Sequence, residues 1–421
     1  MMPPAKRPDD AQNALAGRAG AQAQQSNSDL QLTPSQRAFD HAMMGIALRM
    51  ARRGLGRTAP NPSVGAVIAD EVTGEVISRA CTAPTGRPHA EPLAIAAAGE
   101  RARGKTMYVT LEPCSHHGKT PPCSDAVVNA GLARVVVALT DPDPRVSGRG
   151  LNQLRSAGIS VTRSVRADEA RWLTRGHIVR VTERRPFVQL KMALGADGKV
   201  PRGREGAPVF VTGDLARAQG HLMRAEADAI LVGHGTLRDD NPDLTCRLPG
   251  LAERSPVRVV LASNLHGLLE SRIVESARVV PVHVMTAAAV DPIAKAQLQD
   301  AGVIVHDVRT VAHRIWLPAL LERLAEIGMT RLLVEGGTSV WRAFAHHGLF
   351  DEVILFQARP VSGRGQVEPL SAVDAAADMQ REAGLTGLQL AARRTLGPDD
   401  MLVFRKALSH NPSTSNAIDK E

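Results

Sequence analysis

Aromatic side chains are scarce in this sequence of 421 residues, which contains one Tyr, three Trp and seven Phe. Proteins that bind single-stranded nucleic acid stack its bases on such rings. The scarcity therefore argues against a nucleic-acid partner, although the formal net charge is +8. The basic residues are also dispersed along the chain. An arginine-rich protein that binds phosphorylated small molecules explains the charge better, because guanidinium groups form paired hydrogen bonds with phosphate oxygens.

Long apolar runs and cysteines are scarce too. No stretch of 18 or more apolar residues occurs, so we predict no helix that spans a membrane. The first thirty residues contain acids and lack a continuous apolar segment, which argues against a secretory signal. Four cysteines do not make a disulfide framework in a chain of this length. We expect a cytoplasmic protein, and we also expect it to form a homo-oligomer.

The chain is longer than one average domain, and its 43% hydrophobic and 22% charged residues are typical of globular proteins. We predict two domains, at residues 36–165 and 185–408, joined by a linker helix at 166–184. The polar ends, 1–35 and 409–421, are predicted to be disordered tails.

Apolar segments of strand length alternate with helical patterns in both predicted domains, which is typical of α/β folds. Strand patterns cover residues 64–69, 106–111 and 134–140 in the first domain, and 185–194, 228–233, 257–262, 279–285, 331–336 and 352–357 in the second.

Polar residues follow these elements in the first domain. Pro88 is predicted to open a helix, which would place His89 and Glu91 in its first turn. Cys114 follows a strand pattern, and Cys123 begins the next predicted helix. Thiolates are stabilised near helix N-termini, because the helix dipole lowers their pKa.

These residues have the types and spacing of a catalytic zinc site. His89, Cys114 and Cys123 can supply an imidazole and two thiolates, which leaves the fourth tetrahedral position open for water. Glu91, two residues past the histidine, is placed to act as general acid/base on that water. The pattern is that of the zinc deaminases, in which a non-ligand Glu moves protons while an amino-bearing ring carbon is attacked.

Two other interpretations of the cysteines stay open. They could form a closed structural zinc site with His116 or His117 as the fourth ligand, or remain unliganded thiols. A closed structural site has no need of Glu91. If the site is catalytic, His116 and His117 either contact the substrate or only fill their loop.

Three ordered motifs resemble a known family. They are NPSVGAVI at residues 61–68, TLEPCSHHGKTPPC at 110–123 and DPDPRVSGRG at 141–150. Together they resemble the deaminase half of the bifunctional riboflavin-biosynthesis deaminase/reductases. The resemblance implies an N-terminal α/β/α domain like that of cytidine deaminases. Asn61 is predicted to line the pyrimidine pocket, because an amide can pair with an amide-bearing ring; a turn role in its Asn-Pro pair is the alternative.

The second half resembles the reductase half of the same family, through LKMALGADGK at residues 190–199 and glycine-bearing turns within 231–247 and 332–344. The resemblance implies an α/β fold like that of dihydrofolate reductase, and the use of NADPH. The implied NADP contacts are Ala193, Phe210, Thr236, Asp240, Ser263, Gly337, Thr338 and Ser339. The implied contacts to the phosphoribosylaminopyrimidine are Arg224, Leu244, Arg247 and Glu335.

The chain departs from the family pattern at three places. It reads LGADG where the family often has SLDG, and Phe210 replaces a Trp. Pro92 follows Glu91, where a larger apolar residue is usual. Pro92 would still lie in the first helical turn, where a missing N–H has little effect on stability.

The resemblance implies a bifunctional enzyme with Zn²⁺ and NADPH as cofactors and a phosphorylated pyrimidine as substrate. It would deaminate the pyrimidine ring hydrolytically and then reduce the ribosyl group to ribityl. The residues leave the proton donor of the reduction open between Asp240 and Lys191. Two alternatives stay open, namely a deaminase whose second domain is inactive or regulatory, and a zinc deaminase that acts on nucleic acid.

Overall fold

Residues 32–406 are described by a computed structural model, apart from 119, 145, 202–210, 288, 313 and 360–370. The chain divides into two units. The first comprises Met1–Gly54 and Pro62–Thr174, and the second comprises Leu55–Asn61 and Arg175–Glu421. Phe210 and most of both predicted tails lie outside the described residues. Within the described part of the chain, no helix is both long and apolar enough to cross a membrane.

A five-stranded mixed sheet forms the centre of the first unit. Its strands are β1 (Gly65–Ala69), β2 (Val76–Cys81), β3 (Thr106–Val109), β4 (Arg134–Val137) and β5 (Ser160–Arg163). They lie in the order β2-β1-β3-β4-β5. β1 is antiparallel to both of its neighbours, whereas β3, β4 and β5 are parallel. The predicted strands are confirmed, and β2 and β5 were not predicted.

The helices of this part of the chain are α1 (Pro34–Arg53), α2 (Ala90–Ala98), α3 (Cys123–Asn129), α4 (Arg149–Ser156) and α5 (Ala167–Glu183). Helix α1 packs closely on β1 at Gly65, where a Cβ atom would lie 1.9 Å from the Ala47 carbonyl oxygen. The predicted start of α2 at Pro88 is wrong. The helix begins at Ala90 with His89 as its N-cap, because the Pro88 carbonyl accepts a hydrogen bond from the Ala83 N–H outside the helix.

A nine-stranded sheet forms the centre of the second unit. The six predicted strands are β6 (Phe187–Leu194), β7 (Ala229–Gly233), β8 (Val257–Leu261), β9 (Val282–Thr286), β13 (Arg331–Val334) and β14 (Glu352–Ala358). The sheet strands that were not predicted are β10 (Ile304–Asp307), β15 (Leu388–Leu396) and β16 (Asp399–Lys406). The strands lie in the order β10-β9-β8-β7-β13-β6-β14-β16-β15. The first seven in this order are parallel, and β16 and β15 are antiparallel to their neighbours.

Helices cover both faces of this sheet, and each face has its own apolar core. They are α6 (Asp214–Glu226), α7 (His234–Asp240), α8 (Arg272–Glu275), α9 (Pro292–Asp300), α10 (Leu317–Glu326), α11 (Thr338–His346) and α12 (Ala372–Ala383). A two-stranded ribbon, β11 (Thr310–Val311) with β12 (Arg314–Ile315), completes the unit. Both units are thus α/β, as predicted. Because the carboxyl ends of parallel strands meet at one edge, residues that follow β7 and β13 come together there.

Candidate active sites in the two units

His89, Cys114 and Cys123 converge in the first unit because each lies at the end of an element. His89 is the N-cap of α2, Cys114 follows β3, and Cys123 is the first residue of α3. The His89 Nδ1 atom lies 3.2 Å from the Cys123 Sγ and 3.7 Å from the Cys114 Sγ. The ligand atoms of the three residues all lie within 4.8 Å of one another. This group, which does not include His116 or His117, has the donor set and spacing of a three-ligand zinc site.

The two sulfur atoms affect each other's protonation. Interaction with Cys123 and with His89 lowers the pKa of the Cys114 thiol to about 4. Interaction with Cys114, together with burial, raises the pKa of the Cys123 thiol. A divalent metal binds cysteines as thiolates, so metal binding would release protons from this group.

Glu91 lies beside this cluster, in the first turn of α2, with 3% of its surface exposed. Burial raises the pKa of its carboxyl group to about 7. Its Oε2 atom has no hydrogen-bond partner among the described residues. A buried carboxyl group with a pKa near neutrality and one unused oxygen can both accept and donate a proton, which is what a general acid/base must do.

Asn61 lies in the segment Leu55–Asn61, which belongs to the second unit. Its backbone N–H donates to the Thr58 carbonyl over 2.9 Å, and its carbonyl accepts from the Thr58 hydroxyl over 3.0 Å. These hydrogen bonds support the turn role. The role of Asn61 in a pyrimidine pocket stays a prediction.

A cavity of about 1430 Å³ lies in the second unit. Of the residues predicted to contact NADP, Thr236, Asp240, Ser263, Gly337, Thr338 and Ser339 line it. Gly337 is the N-cap of α11, so the first turn of this helix borders the cavity. Unpaired N–H groups and the helix dipole make such a terminus suited to a phosphate group.

A second cavity, of about 790 Å³, is lined by all four predicted substrate contacts of the second unit, Arg224, Leu244, Arg247 and Glu335. Thr236 and Asp240 line both cavities, so the two share a wall. Ala193, predicted to contact the cofactor, lines only the smaller cavity. Phe210 lies outside the described residues, and its predicted cofactor contact is not described.

Glu335 and Arg224 form a two-point ion pair in the smaller cavity. The Arg224 Nε donates to the Glu335 Oε1 over 2.8 Å, and its Nη2 donates to the Oε2 over 2.9 Å. The Lys191 Nζ lies 3.6 Å from the same carboxylate. Burial alone would raise the pKa of Glu335, but the charges of Arg224 and Lys191 and the hydrogen bonds from Arg224 lower it to about 2. Glu335 is therefore ionised at neutral pH.

Two sets of residues that line these cavities follow the period of their element. Lys191 and Ala193 were named from the sequence, whereas Arg342 and His346 were not. On β6, the side chains of Leu190 and Met192 are buried in the core. Lys191 and Ala193 alternate with them and line the smaller cavity, as the period of two in a strand requires. On α11, Arg342 and His346 line the larger cavity together with Thr338, at the spacing of one helical face.

Two protein families match the two units. The cytidine and deoxycytidylate deaminase zinc-binding region matches residues 37–139. The RibD C-terminal domain matches residues 186–399.

Similar proteins cover most of the chain. Riboflavin biosynthesis protein RibD of Aquifex aeolicus is 38% identical over 329 residues, which is 78% of this chain and 89% of that protein. RibD of Bacillus amyloliquefaciens is 37% identical over 356 residues, 85% of this chain and 93% of that one. The crystal structure of a diaminohydroxyphosphoribosylaminopyrimidine deaminase/5-amino-6-(5-phosphoribosylamino)uracil reductase from Thermotoga maritima is 34% identical, with a TM-score of 0.71, and the match covers 88% of this chain and 99% of that one.

Proposed function

This chain belongs to the RibD family of bifunctional riboflavin-biosynthesis proteins, and from that premise we propose that each of its two units catalyses one step. The first unit deaminates a diaminohydroxyphosphoribosylaminopyrimidine. The second reduces the product, 5-amino-6-(5-phosphoribosylamino)uracil, at its ribosyl group. Family membership over most of the chain supports both steps. The observation that carries the proposal is the group of His89, Cys114 and Cys123 beside the buried Glu91.

The donor set of the first unit fits a zinc ion, which when bound to His89, Cys114 and Cys123 would supply a Lewis acid that activates water. Glu91 does the proton chemistry. Its unpartnered Oε2 accepts a proton from the attacking water and delivers it to the amino group that leaves as ammonia. One water is consumed, the carbon–nitrogen bond breaks, and a ring carbonyl remains. The carboxyl pKa of about 7 suits both transfers near neutral pH.

The two cavities of the second unit fit a dinucleotide and a phosphorylated pyrimidine. NADPH in the larger cavity would supply hydride, with its pyrophosphate held at the start of α11 by Thr338 and Ser339. The substrate would occupy the smaller cavity, where Arg247 binds its phosphate and the ionised Glu335 accepts hydrogen bonds from the ring. Thr236 and Asp240, which line both cavities, would then lie beside both ligands.

The reduction also needs a proton for the ring oxygen that leaves C1′. Asp240 lines both cavities, and burial and the neighbouring Asp239 raise the pKa of its carboxyl group. Lys191, the other candidate, forms an ion pair with Glu335. We therefore assign the donation of this proton to Asp240.

The proposal also includes the predicted homo-oligomer. It includes the predicted cytoplasmic location too, which agrees with the four free cysteines.

The test is product analysis by mass spectrometry with the zinc-loaded protein and the diaminopyrimidine substrate. Without NADPH, the expected products are ammonia and the deaminated ribosyl compound. With NADPH, the ribityl compound should replace the latter. Ammonia release with no ribityl product would assign the second unit an inactive or regulatory role. Release of ammonia from single-stranded RNA, and none from the pyrimidine, would contradict the proposal and favour a deaminase that acts on nucleic acid.

A further inference from the structure

Eight residues separate Cys114 from Cys123, yet their sulfurs lie close enough to share a metal. Most described residues of this insert are exposed to solvent, namely His116, His117, Gly118, Thr120 and Pro121. An exposed loop has few packing contacts that fix the distance between its ends. The separation of the two sulfurs must therefore be set by other parts of the unit.

Ser124 joins the two cysteine segments directly. Its backbone N–H donates to the Cys114 carbonyl over 3.1 Å. Its hydroxyl oxygen lies 3.1 Å from the same carbonyl. The Cys123 N–H, at the start of α3, points to the Cys114 Sγ over 3.4 Å. Ser124 is fully buried, so water does not compete for its backbone hydrogen bond to Cys114.

Glu112, two residues before Cys114, anchors its segment to the N-terminus of α4. Only 3% of its surface is exposed, and its carboxylate accepts four backbone N–H groups. The donors are Asp141 at 3.3 Å and Gly148 at 2.9 Å to Oε2, and Gly150 at 3.0 Å and Leu151 at 3.3 Å to Oε1. A carboxylate in this position satisfies N–H groups that the helix itself leaves unpaired.

The first turn of α4 also packs directly on the residue before Cys114. A Cβ atom on Gly150 would lie 2.1 Å from the Pro113 carbonyl oxygen. Only glycine allows so close an approach. The start of α4 is therefore held against the strand end that carries Cys114, both by hydrogen bonds and by shape.

One turn further along α4, Gln153 holds the other cysteine segment. Its Oε1 lies 2.7 Å from the Ser124 hydroxyl oxygen. Its amide NH₂ donates to the Asp125 carboxylate. Both partners follow Cys123 on α3. The same short helix thus binds the segment before Cys114 and the segment after Cys123.

We propose that helix α4 fixes the distance between the Cys114 and Cys123 thiolates. Glu112 and Gln153 would be the positioning residues that hold these two metal ligands in place. This inference rests on the zinc site of the proposed function. The exposed insert between the two cysteines would then have no role in the geometry of the metal site. Partners behind the ligands commonly change metal affinity 10- to 100-fold when they are removed.

The test compares Gln153→Met with Asn152→Met in the full-length chain. Methionine keeps the length of Gln153 and removes its hydrogen bonds, whereas Asn152 is exposed on the same helix. Zn²⁺ affinity is measured by chelator competition, and the geometry by the absorption spectrum of the Co²⁺-substituted protein. Gln153→Met should bind Zn²⁺ at least about tenfold more weakly, with a shifted Co²⁺ spectrum. Asn152→Met should match the wild type in both.

A second pair of variants distinguishes the effect of the contacts to α4 from the effect of the exposed insert. It also covers the case in which Gln153→Met fails to fold. Ser124→Ala should weaken Zn²⁺ binding in the same way as Gln153→Met. A double variant with His116→Ala and His117→Ala should bind Zn²⁺ as the wild type does. The inference would be overturned if Gln153→Met and Ser124→Ala both kept the Zn²⁺ affinity and the Co²⁺ spectrum of the wild type. It would also be overturned if the double histidine variant weakened Zn²⁺ binding as much as Gln153→Met does. A wild-type chain that binds no zinc would instead refute the proposed function.

Discussion

Glu91 and Glu335 are both largely buried carboxylic acids, yet their surroundings drive their pKa values in opposite directions. Burial raises the pKa of Glu91 to about 7, with one oxygen left unpartnered. Arg224 and Lys191 lower the pKa of Glu335 to about 2. At neutral pH, Glu91 can therefore exchange protons, and Glu335 stays a fixed negative charge. Catalysis is expected of the first residue, and substrate orientation of the second.

Glu91→Gln should lower ammonia release about 10²- to 10⁴-fold, the usual contribution of general acid/base catalysis. Bound zinc, measured by atomic absorption, should be unchanged, because the three ligands are intact. Glu100→Gln, at an exposed position after α2, serves as the control and should keep full activity. Loss of zinc from Glu91→Gln would show that Glu91 is itself a ligand.

Glu335→Gln should abolish NADPH oxidation with the deaminated substrate and leave ammonia release intact. It should also lower the free energy of unfolding by about 1.5–3 kcal/mol, since Arg224 loses its charged hydrogen-bond partner. The matched control is Glu326→Gln, in an exposed pair with Arg323, where such pairs contribute about 1 kcal/mol or less. Equal effects of the two variants on chemical denaturation and on NADPH oxidation would refute the assigned role of Glu335.

The two glutamates differ in how far the sequence could predict them. Glu91 lies two residues from His89, so a local motif contains the arrangement. Arg224 and Glu335 are 111 residues apart, and no local pattern pairs them. The resemblance to a family predicted that both contact the substrate. It did not predict that they bind each other, because that contact depends on how β13 and α6 pack.

Element ends position the chemistry in both units. His89 is the N-cap of α2, Cys123 begins α3, and Gly337 is the N-cap of α11. Strands with a clear apolar pattern were predicted from the sequence. The strand β15 was not, because most of its residues are exposed and an alternating pattern arises only where one face of a strand is buried.

Gly65→Ala should destabilise the first unit, because the packing of α1 on β1 requires a glycine. The added Cβ would lie 1.9 Å from the Ala47 carbonyl oxygen and 2.7 Å from the Ala51 nitrogen, both in the backbone of α1. Overpacking of this kind costs about 1–3 kcal/mol. Gly118→Ala is the control, since its nearest atom would be 3.6 Å away on the Arg87 side chain. Equal thermal midpoints for the two variants would contradict the packing argument.

A buried histidine pair on β9 and β10 makes the stability of the second unit depend on pH. His283 Nδ1 and His306 Nε2 lie 2.9 Å apart, and Arg323 and Asp307 lie near His306. Burial, His306 and Arg323 lower the pKa of His283 to about 4, whereas the unfolded chain takes up this proton at about pH 6.5. Between these values the unfolded state binds more protons, so the free energy of unfolding falls as pH falls.

The measurement is the urea midpoint at about pH 7 and about pH 5, for the wild type and for His283→Gln, which does not titrate in this range. The midpoint of the wild type should fall more steeply with acidification than that of the variant. Parallel pH profiles would show that the pair contributes nothing to this dependence.

At the scale of the whole molecule, one chain contains two units, each with its own sheet and its own candidate site. Composition and length predicted two domains, and the family resemblance predicted the order of the two activities. The position of the domain boundary is harder to predict. The division falls after Thr174, inside helix α5, and the short segment Leu55–Asn61 groups with the second unit. Neither feature has a compositional signal.

Separate sites predict that two inactive variants restore each other's function. A mixture of Glu91→Gln and Glu335→Gln should convert the diaminopyrimidine to the ribityl product, because each variant keeps the site that the other lacks. Each variant alone should yield no ribityl product. The measurement is product formation in the mixture by mass spectrometry, and absence of product would contradict the independence of the two sites.

The most direct test of the account follows ammonia release and NADPH oxidation together in one sample of the zinc-loaded protein with the diaminopyrimidine substrate. Ammonia should appear first, and NADPH oxidation should follow it. Removal of zinc with a chelator should stop both, and the deaminated pyrimidine should then restore NADPH oxidation alone. NADPH oxidation that starts before ammonia appears, or that the chelator stops even with the deaminated substrate present, would contradict two ordered and separate active sites.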